Sequence, residues 1–192
     1  SIEKNFQNGC FPSSNEILCL ASYRPLYDYK AINPETFQPA NQAVIKSQVV
    51  DRELENRLYS EMPIFQKVNN KVSLSVKNQY ETNPYPRWMT LGLPPRASSI
   101  REVISQIELK LNKQKIQDVV SPRILIAGCG TGQHSIGTAS RFKNADVLAI
   151  DLSRRSLAYA KRKTLELGNN NITYMQADIL DLETLENKFH II

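Results

Sequence analysis

Three glycines at alternate positions, Gly128, Gly130 and Gly132, follow directly on an apolar run, Ile124-Leu125-Ile126-Ala127. Glycine lets the backbone turn sharply and clears side chains from the path of an approaching ligand. After Gly132, residues 133–139 can begin a helix, which aims its free N–H groups at whatever sits in the turn. A second apolar run, Val147-Leu148-Ala149-Ile150, ends on Asp151, 19 residues beyond Gly132. An acid about 20 residues past the glycines, at the tip of the next strand, is placed to accept hydrogen bonds from ribose hydroxyls. A third run ends in Met175-Gln176-Ala177-Asp178-Ile179. There Asp178 could accept from the exocyclic amine of a purine, and the backbone of Ala177 and Ile179 could serve the ring nitrogen. These types at this spacing point to a nucleoside cofactor.

The elements that must position these residues can be read from the same stretch. An apolar run bounded by glycines reads as a buried parallel strand. Strands over 123–127, 146–150 and 172–176 alternate with helices over about 133–142 and 154–167, the latter stopped by Gly168. A helical turn near 181–187 follows, and Phe189-His190-Ile191-Ile192 opens a fourth strand. This alternation predicts an α/β fold, a doubly wound parallel sheet built from βαβ units, of which the first half is present.

Upstream, Ser13-x-x-Glu16 is a capping box for a helix carrying Ile17, Leu18 and Leu20, and Pro25 ends it. Residues 28–42 read as loop. Asp51 is placed to cap a helix through Leu54, Leu58 and Met62, and a further helix over about 68–80 turns Val72 and Val76 inward. A proline-broken aromatic loop follows, Gln79-Tyr80-Glu81-Thr82-Asn83-Pro84-Tyr85-Pro86-Arg87-Trp88. The clearest helical signal starts at the capping box Ser99-x-x-Glu102, with Ile100, Val103, Ile104, Ile107 and Leu111 on one face.

The glycine pattern is G-x-G-x-G and not the dinucleotide fingerprint G-x-G-x-x-G. The absence of the third glycine at dinucleotide spacing and the bulk of Gln133 argue against a nucleotide-dependent oxidoreductase, one alternative reading. Asp151 and Asp178 each have a plainer role open to them, as helix or turn caps, and Ser153 competes for the first of these. Cys129 reads as a small packing residue, because no basic partner is placed to activate it. His134 borders the glycine loop without a clear general-base role, and His190 reads as packed in an apolar strand. Arg154, Arg155, Lys161, Arg162 and Lys163 read as a solvated helix face. Tyr80, Tyr85, Arg87 and Trp88 either cover the cofactor or anchor the linker.

The whole pattern resembles the class I S-adenosylmethionine-dependent methyltransferases, on residues 124–132, 148–153 and 176–179. The resemblance implies S-adenosyl-L-methionine as cofactor, with the loop Gly128, Cys129, Gly130, Thr131 and Gly132 around its methionine part. It places Asp151 on the ribose, Leu152 against the adenine, and Ala177, Asp178 and Ile179 around the adenine edge. Residues 79–88 resemble a segment upstream of the methyltransferase domain in some bacterial members, which adds Tyr80 and Tyr85 as cofactor-binding candidates. The organisation expected is a helical N-terminal region with an aromatic linker over 1–95 and the N-terminal half of a Rossmann-like methyltransferase domain over 96–192. A complete member has a longer sheet, so acceptor-binding and catalytic residues are expected beyond Ile192, and this piece alone is expected to be inactive. A non-catalytic S-adenosylmethionine sensor is the other alternative.

Composition bounds the rest. The apolar fraction is 41% and the charged fraction 22%, ordinary for a globular chain. No apolar run is long enough to span a membrane, and no secretory signal is evident. The first residue is not Met, which suggests a processed or excised piece. Three cysteines without a C-x-x-C pair predict neither a disulfide framework nor a metal site, and point to a reducing cytoplasm. The net charge of +5 is spread along the chain, so nucleic acid is not indicated. The acceptor is expected to be a protein or a small molecule, and the unfinished sheet edge a route to self-association.

Overall fold

A computed structural model describes residues 13–29, 39–107, 114–186 and 188–192. The chain divides into two compact units, Ser1–Arg57 and Leu58–Ile192.

In the first unit, α1 (Ser14–Tyr23) starts at the predicted capping box. The Ser13 hydroxyl accepts from the Glu16 N–H, and the Glu16 carboxylate accepts from the Ser13 N–H at 2.8 Å. These bonds favour the charged form and hold the Glu16 carboxyl below its usual range. Ile17 and Leu20 pack with Leu26, Tyr29, Ile45 and Val49 in a small core. A helical run follows: α2 (Gln42–Ile45), a π-helical turn (Lys46–Val50) and α3 (Asp51–Glu61). Asp51 therefore does not cap a helix N-terminus as expected. It sits mid-run at φ −62°, ψ −35°, and its carboxylate accepts from Lys46 Nζ at 3.1 Å. The π turn shifts the phase of the apolar stripe, so the helical period cannot be followed back through it.

In the second unit, α4 (Lys71–Thr82) is capped by Asn70, whose side-chain oxygen accepts from the N–H groups of Val72 and Ser73. Val72 and Val76 do not face inward as expected; they are 72% and 38% exposed, while Ser73 is buried. α5 (Ile100–Gln106) starts at the Ser99–Glu102 capping box and buries Ile100 and Val103. It stops short of Ile107, which is largely exposed, and Leu111 lies outside the described residues.

The sheet is parallel, in the order β1 (Arg123–Ala127), β2 (Asp146–Asp151), β3 (Ile172–Gln176). The register pairs Ala127 with Ile150 and Asp151 with Gln176, so the carboxyl ends of all three strands lie in line. α6 (Gln133–Arg141) and α7 (Arg154–Glu166) are the connecting helices. The expected fourth strand opens on the far side of β1, where Ile191 bridges Ile124 in parallel and Leu125 donates to the Ile191 carbonyl at 3.0 Å. His190 is exposed rather than packed, because its Nδ1 turns back to accept from the Arg123 N–H at 2.9 Å. The outer edge of β3 is also paired: Phe65 donates to the Gln176 carbonyl at 2.9 Å, and Gln176 donates to that of Pro63 at 2.8 Å.

The two faces of the sheet are covered differently. Ile124, Ile126, Val147, Ala149, Ile172 and Tyr174 face α6 and α7 in the main core, together with Trp88. The opposite face carries Leu125, Ile150 and Ala177, with Phe65, Leu148, Met175, Leu182 and Phe189 only partly buried against them. A cavity of about 250 Å³ lined by Arg123, Asp146, Leu148, Thr173 and Phe189 marks the thin cover on that side.

Candidate functional site

The glycine loop joins β1 to α6 with all three glycines at positive φ: 76° at Gly128, 52° at Gly130 and 88° at Gly132. At Gly132 a side chain would also collide. An added Cβ would lie 2.6 Å from the Ala160 Cβ, so this glycine lets the loop pack tightly on α7. At Gly130 the same position meets open space, so nothing of the protein crowds the loop there.

The loop is tied to the tip of β2. Gly128 and Cys129 both donate to the Ile150 carbonyl at 2.9 Å. Asp151 accepts from the Gly130 N–H at 2.8 Å with Oδ2 and from the Ser153 N–H at 2.9 Å with Oδ1. Burial pushes the Asp151 carboxyl above its ordinary value, against backbone hydrogen bonds from Ser153, Gly130 and Leu152 that pull it down. Each carboxylate oxygen has two lone pairs, so capacity remains for hydroxyl donors from a ligand.

The tip of β3 completes the group. Ala177 donates to the Asp151 carbonyl at 3.1 Å, and Gln176, 2% exposed, donates through Nε2 to the Leu152 carbonyl at 2.6 Å. Asp178 is buried and caps a 3-10 turn (Ile179–Thr184) by accepting from the Leu180 N–H. Ile179 is half exposed, and its Cδ1 lies 3.7 Å from where a Gly128 Cβ would stand. Leu152 is half-buried on the β2–α7 turn. The structure thus brings Gly128, Gly130, Asp151, Leu152, Ala177, Asp178 and Ile179 to one sheet edge.

Tyr80 and Tyr85 stand apart from that cluster in character, 38% and 75% exposed, with a cis peptide between Tyr85 and Pro86. Glu81, between them, accepts from the Arg154 N–H at 2.8 Å and so helps cap α7 alongside Ser153. The Cys129 thiol is buried, and burial, then the neighbouring Asp151 charge, pushes its pKa well up. Burial of this kind suits a packing group better than a nucleophile. His134 is exposed on the first turn of α6. Among the described residues no cluster of His, Cys, Asp or Glu could hold a metal ion.

The basic residues of α7 are not all a solvated face. Arg162 and Lys163 are 6% and 5% exposed. Their charges pair with Glu166 at 3.0 and 3.1 Å and lie over the rings of Tyr159 and Trp88 at 4.9 Å each. Sequence reasoning missed this cluster. The local signal was Glu166 at i+4 and i+3 from two cations; the aromatic partner Trp88 comes from a distant segment.

Comparison with known proteins bears on the same stretch of chain. Residues 124–192 match the family model described as "Methyltransferase domain". This stretch, little more than a third of the chain, is similar to methyltransferase domains. A release factor glutamine methyltransferase of Flavobacterium psychrophilum is 37% identical over 103 residues, covering 54% of this chain and 34% of that protein. A protein of the same name from Rhodopirellula baltica is 26% identical over 148 residues, covering 77% of this chain and 47% of its own. The chain thus spans between a third and half the length of these two relatives. Among solved structures, a magnesium protoporphyrin IX methyltransferase from Synechocystis with bound SAM shares 20% identity at a TM-score of 0.39. That match covers 65% of this chain and 61% of the other. Among the described residues no helix is long and apolar enough to cross a membrane.

Proposed function

We propose that this chain binds S-adenosylmethionine at the carboxyl edge of β1–β3 and carries the cofactor half of a methyl-transferring enzyme. The observation that supports it most is the meeting of the glycine loop, Asp151 and the Ala177–Ile179 tip at one sheet edge. In this reading the orphan N–H groups of the first α6 turn and the loop backbone hold the methionine part. Asp151 accepts from the ribose hydroxyls, Leu152 and Ile179 flank the adenine, and Asp178 accepts from its amine. Tyr80 and Tyr85 lie on the solvent side and are the weakest members of the set.

The chemistry then needs little from acid–base groups. Held by the glycine loop, Asp151 and Ala177–Ile179, S-adenosylmethionine would supply a methyl group on a sulfonium sulfur, with a neutral thioether as the leaving group. The acceptor's proton passes to solvent or to a base. Positioning and exclusion of water supply most of the rate.

The acceptor class we favour is a protein or a small molecule. Two relatives are named for a release factor glutamine and a third, 28% identical over 58 residues, for a tRNA guanine, so the panel must include all three classes. Residues 96–192 would be the first half of the domain, with acceptor contacts contributed elsewhere. A cytoplasmic location and self-association beside β1, past the Ile191 bridge, belong to the same reading. Calorimetric titration with S-adenosylhomocysteine and with a nicotinamide dinucleotide tests the cofactor; binding of the dinucleotide alone would overturn it. Tritiated methyl transfer to the acceptor panel, run with the full gene product, separates an enzyme from a sensor.

A further inference from the structure

Thr131 stands between the last two glycines of the loop and is 3% exposed. Its hydroxyl and its carbonyl are both held by one distant segment. Its hydroxyl donates to the Pro86 carbonyl at 2.7 Å, and its carbonyl accepts from the Trp88 indole N–H at 2.9 Å. The next peptide N–H, that of Gly132, donates to the Cys129 carbonyl at 3.0 Å. The peptide unit joining Thr131 to Gly132 is therefore fixed at both its oxygen and its nitrogen.

The segment that does the holding is itself held by α7. The Tyr159 hydroxyl donates to the Trp88 carbonyl, and the Tyr159 ring meets the Trp88 ring edge-on at 6.0 Å. Lys163 lies over the Trp88 ring and donates to the Met89 carbonyl at 3.1 Å. Arg87 stacks on the Tyr159 ring at 4.5 Å. Trp88 is 7% exposed, buried in the main core, and so points away from solvent and toward the protein side of the loop.

We infer that residues 86–88 are a brace that sets the glycine loop for its ligand, with Trp88 and Thr131 as positioning residues. This rests on the cofactor reading above and adds what that reading does not supply. A loop with three positive-φ glycines has many conformations open to it, and ordering it on binding costs affinity unless it is ordered beforehand. The pull of Trp88 on the Thr131 carbonyl and of Pro86 on its hydroxyl does that ordering from outside the domain's βαβ core. It also explains why Trp88 is buried against the loop while Tyr80 and Tyr85, earlier in the same proline-broken segment, are exposed.

The test uses Trp88→Phe, which keeps an aromatic ring and removes the donor, and Thr131→Val, which removes the hydroxyl at similar volume, against Thr131→Ser, which keeps it. S-adenosylhomocysteine binding is measured by calorimetry, with hydrogen exchange read at residues 128–132 and the thermal midpoint recorded for each variant. The brace predicts about a tenfold loss of affinity in Trp88→Phe and Thr131→Val, with a less favourable binding entropy and faster exchange confined to the loop. Thr131→Ser should restore both, and Met89→Ala, an exposed side chain on the same segment, should match the wild type. Wild-type affinity and unchanged loop exchange in Trp88→Phe and Thr131→Val would overturn the brace while leaving the cofactor reading intact. A wild type that binds no S-adenosylhomocysteine would overturn both. If Trp88→Phe fails to fold, the Val and Ser pair at 131 decides.

Discussion

The two faces of the β1–β3 sheet are built to different standards. One packs Ile124, Ile126, Val147 and Ala149 at 8% exposure or less against α6 and α7. The other leaves Leu148, Met175 and Phe189 half-buried beside a 250 Å³ cavity. The glycine loop hangs from the finished face: Gly132 rests on Ala160, and Thr131 is held through Trp88 by α7. The lesson is that the glycine loop packs against one face, while the Ala177 tip of β3 belongs to the other. The site's backbone can be in place while the opposite face is thinly covered.

The sharpest way to break that comparison is at the contact itself. Gly132→Ala forces a Cβ to 2.6 Å from Ala160 in a left-handed backbone. It should cost roughly 3 kcal/mol or more in chemical denaturation, since overpacking and strained φ add. A loss below about 1 kcal/mol would show that the loop does not rest on α7 as described.

A matched pair of core truncations compares the faces directly. Ile136→Ala, fully buried on the finished face, should cost about 3 kcal/mol, and Leu148→Ala, half-buried on the other, about 1–2 kcal/mol. Equal losses would mean that the second face is as tightly packed as the first.

Asp151 supplies a smaller, pH-dependent effect. Its carboxyl is raised by burial, so the unfolded chain ionises before the folded one. Folding stability then falls as pH rises from the ordinary carboxyl value to the raised one. Ligand binding runs the other way, because the ionised form accepts the ribose hydroxyls. S-adenosylhomocysteine affinity should fall several-fold on acidification through the raised value, about 1 kcal/mol, and Asp151→Asn should flatten the profile. An unchanged pH profile in Asp151→Asn would remove this carboxyl from the site. The smallest effect is expected at Val72→Ala, within about 0.5 kcal/mol of the wild type, because the side chain is exposed.

What the sequence made legible is what local pattern encodes. The three strands, the glycine turn and the two capping boxes are each specified within a dozen residues, and the acid-tipped strand by its spacing from the glycines. What it hid is mostly long-range. The pairing of Ile64 with Gln176 and the clasp of Trp88 on Thr131 join residues with no local cue to each other. Arg162 and Lys163 read as solvated because the aromatic rings that face their charged heads, and the burial these bring, come from tertiary packing. Val72 and Val76 misled because two valines four apart in a twelve-residue helix are too few to set its phase.

The measurement that bears most directly on the account is calorimetric binding of S-adenosylhomocysteine to the wild type and to Asp151→Ala. Asp151 joins the glycine loop, the β2 tip and the proposed ribose contact in one carboxylate. The account predicts one site per chain in the wild type and a loss of about 1–3 kcal/mol in the variant. Binding undiminished in Asp151→Ala, or no binding of S-adenosylhomocysteine to the wild type, would contradict it.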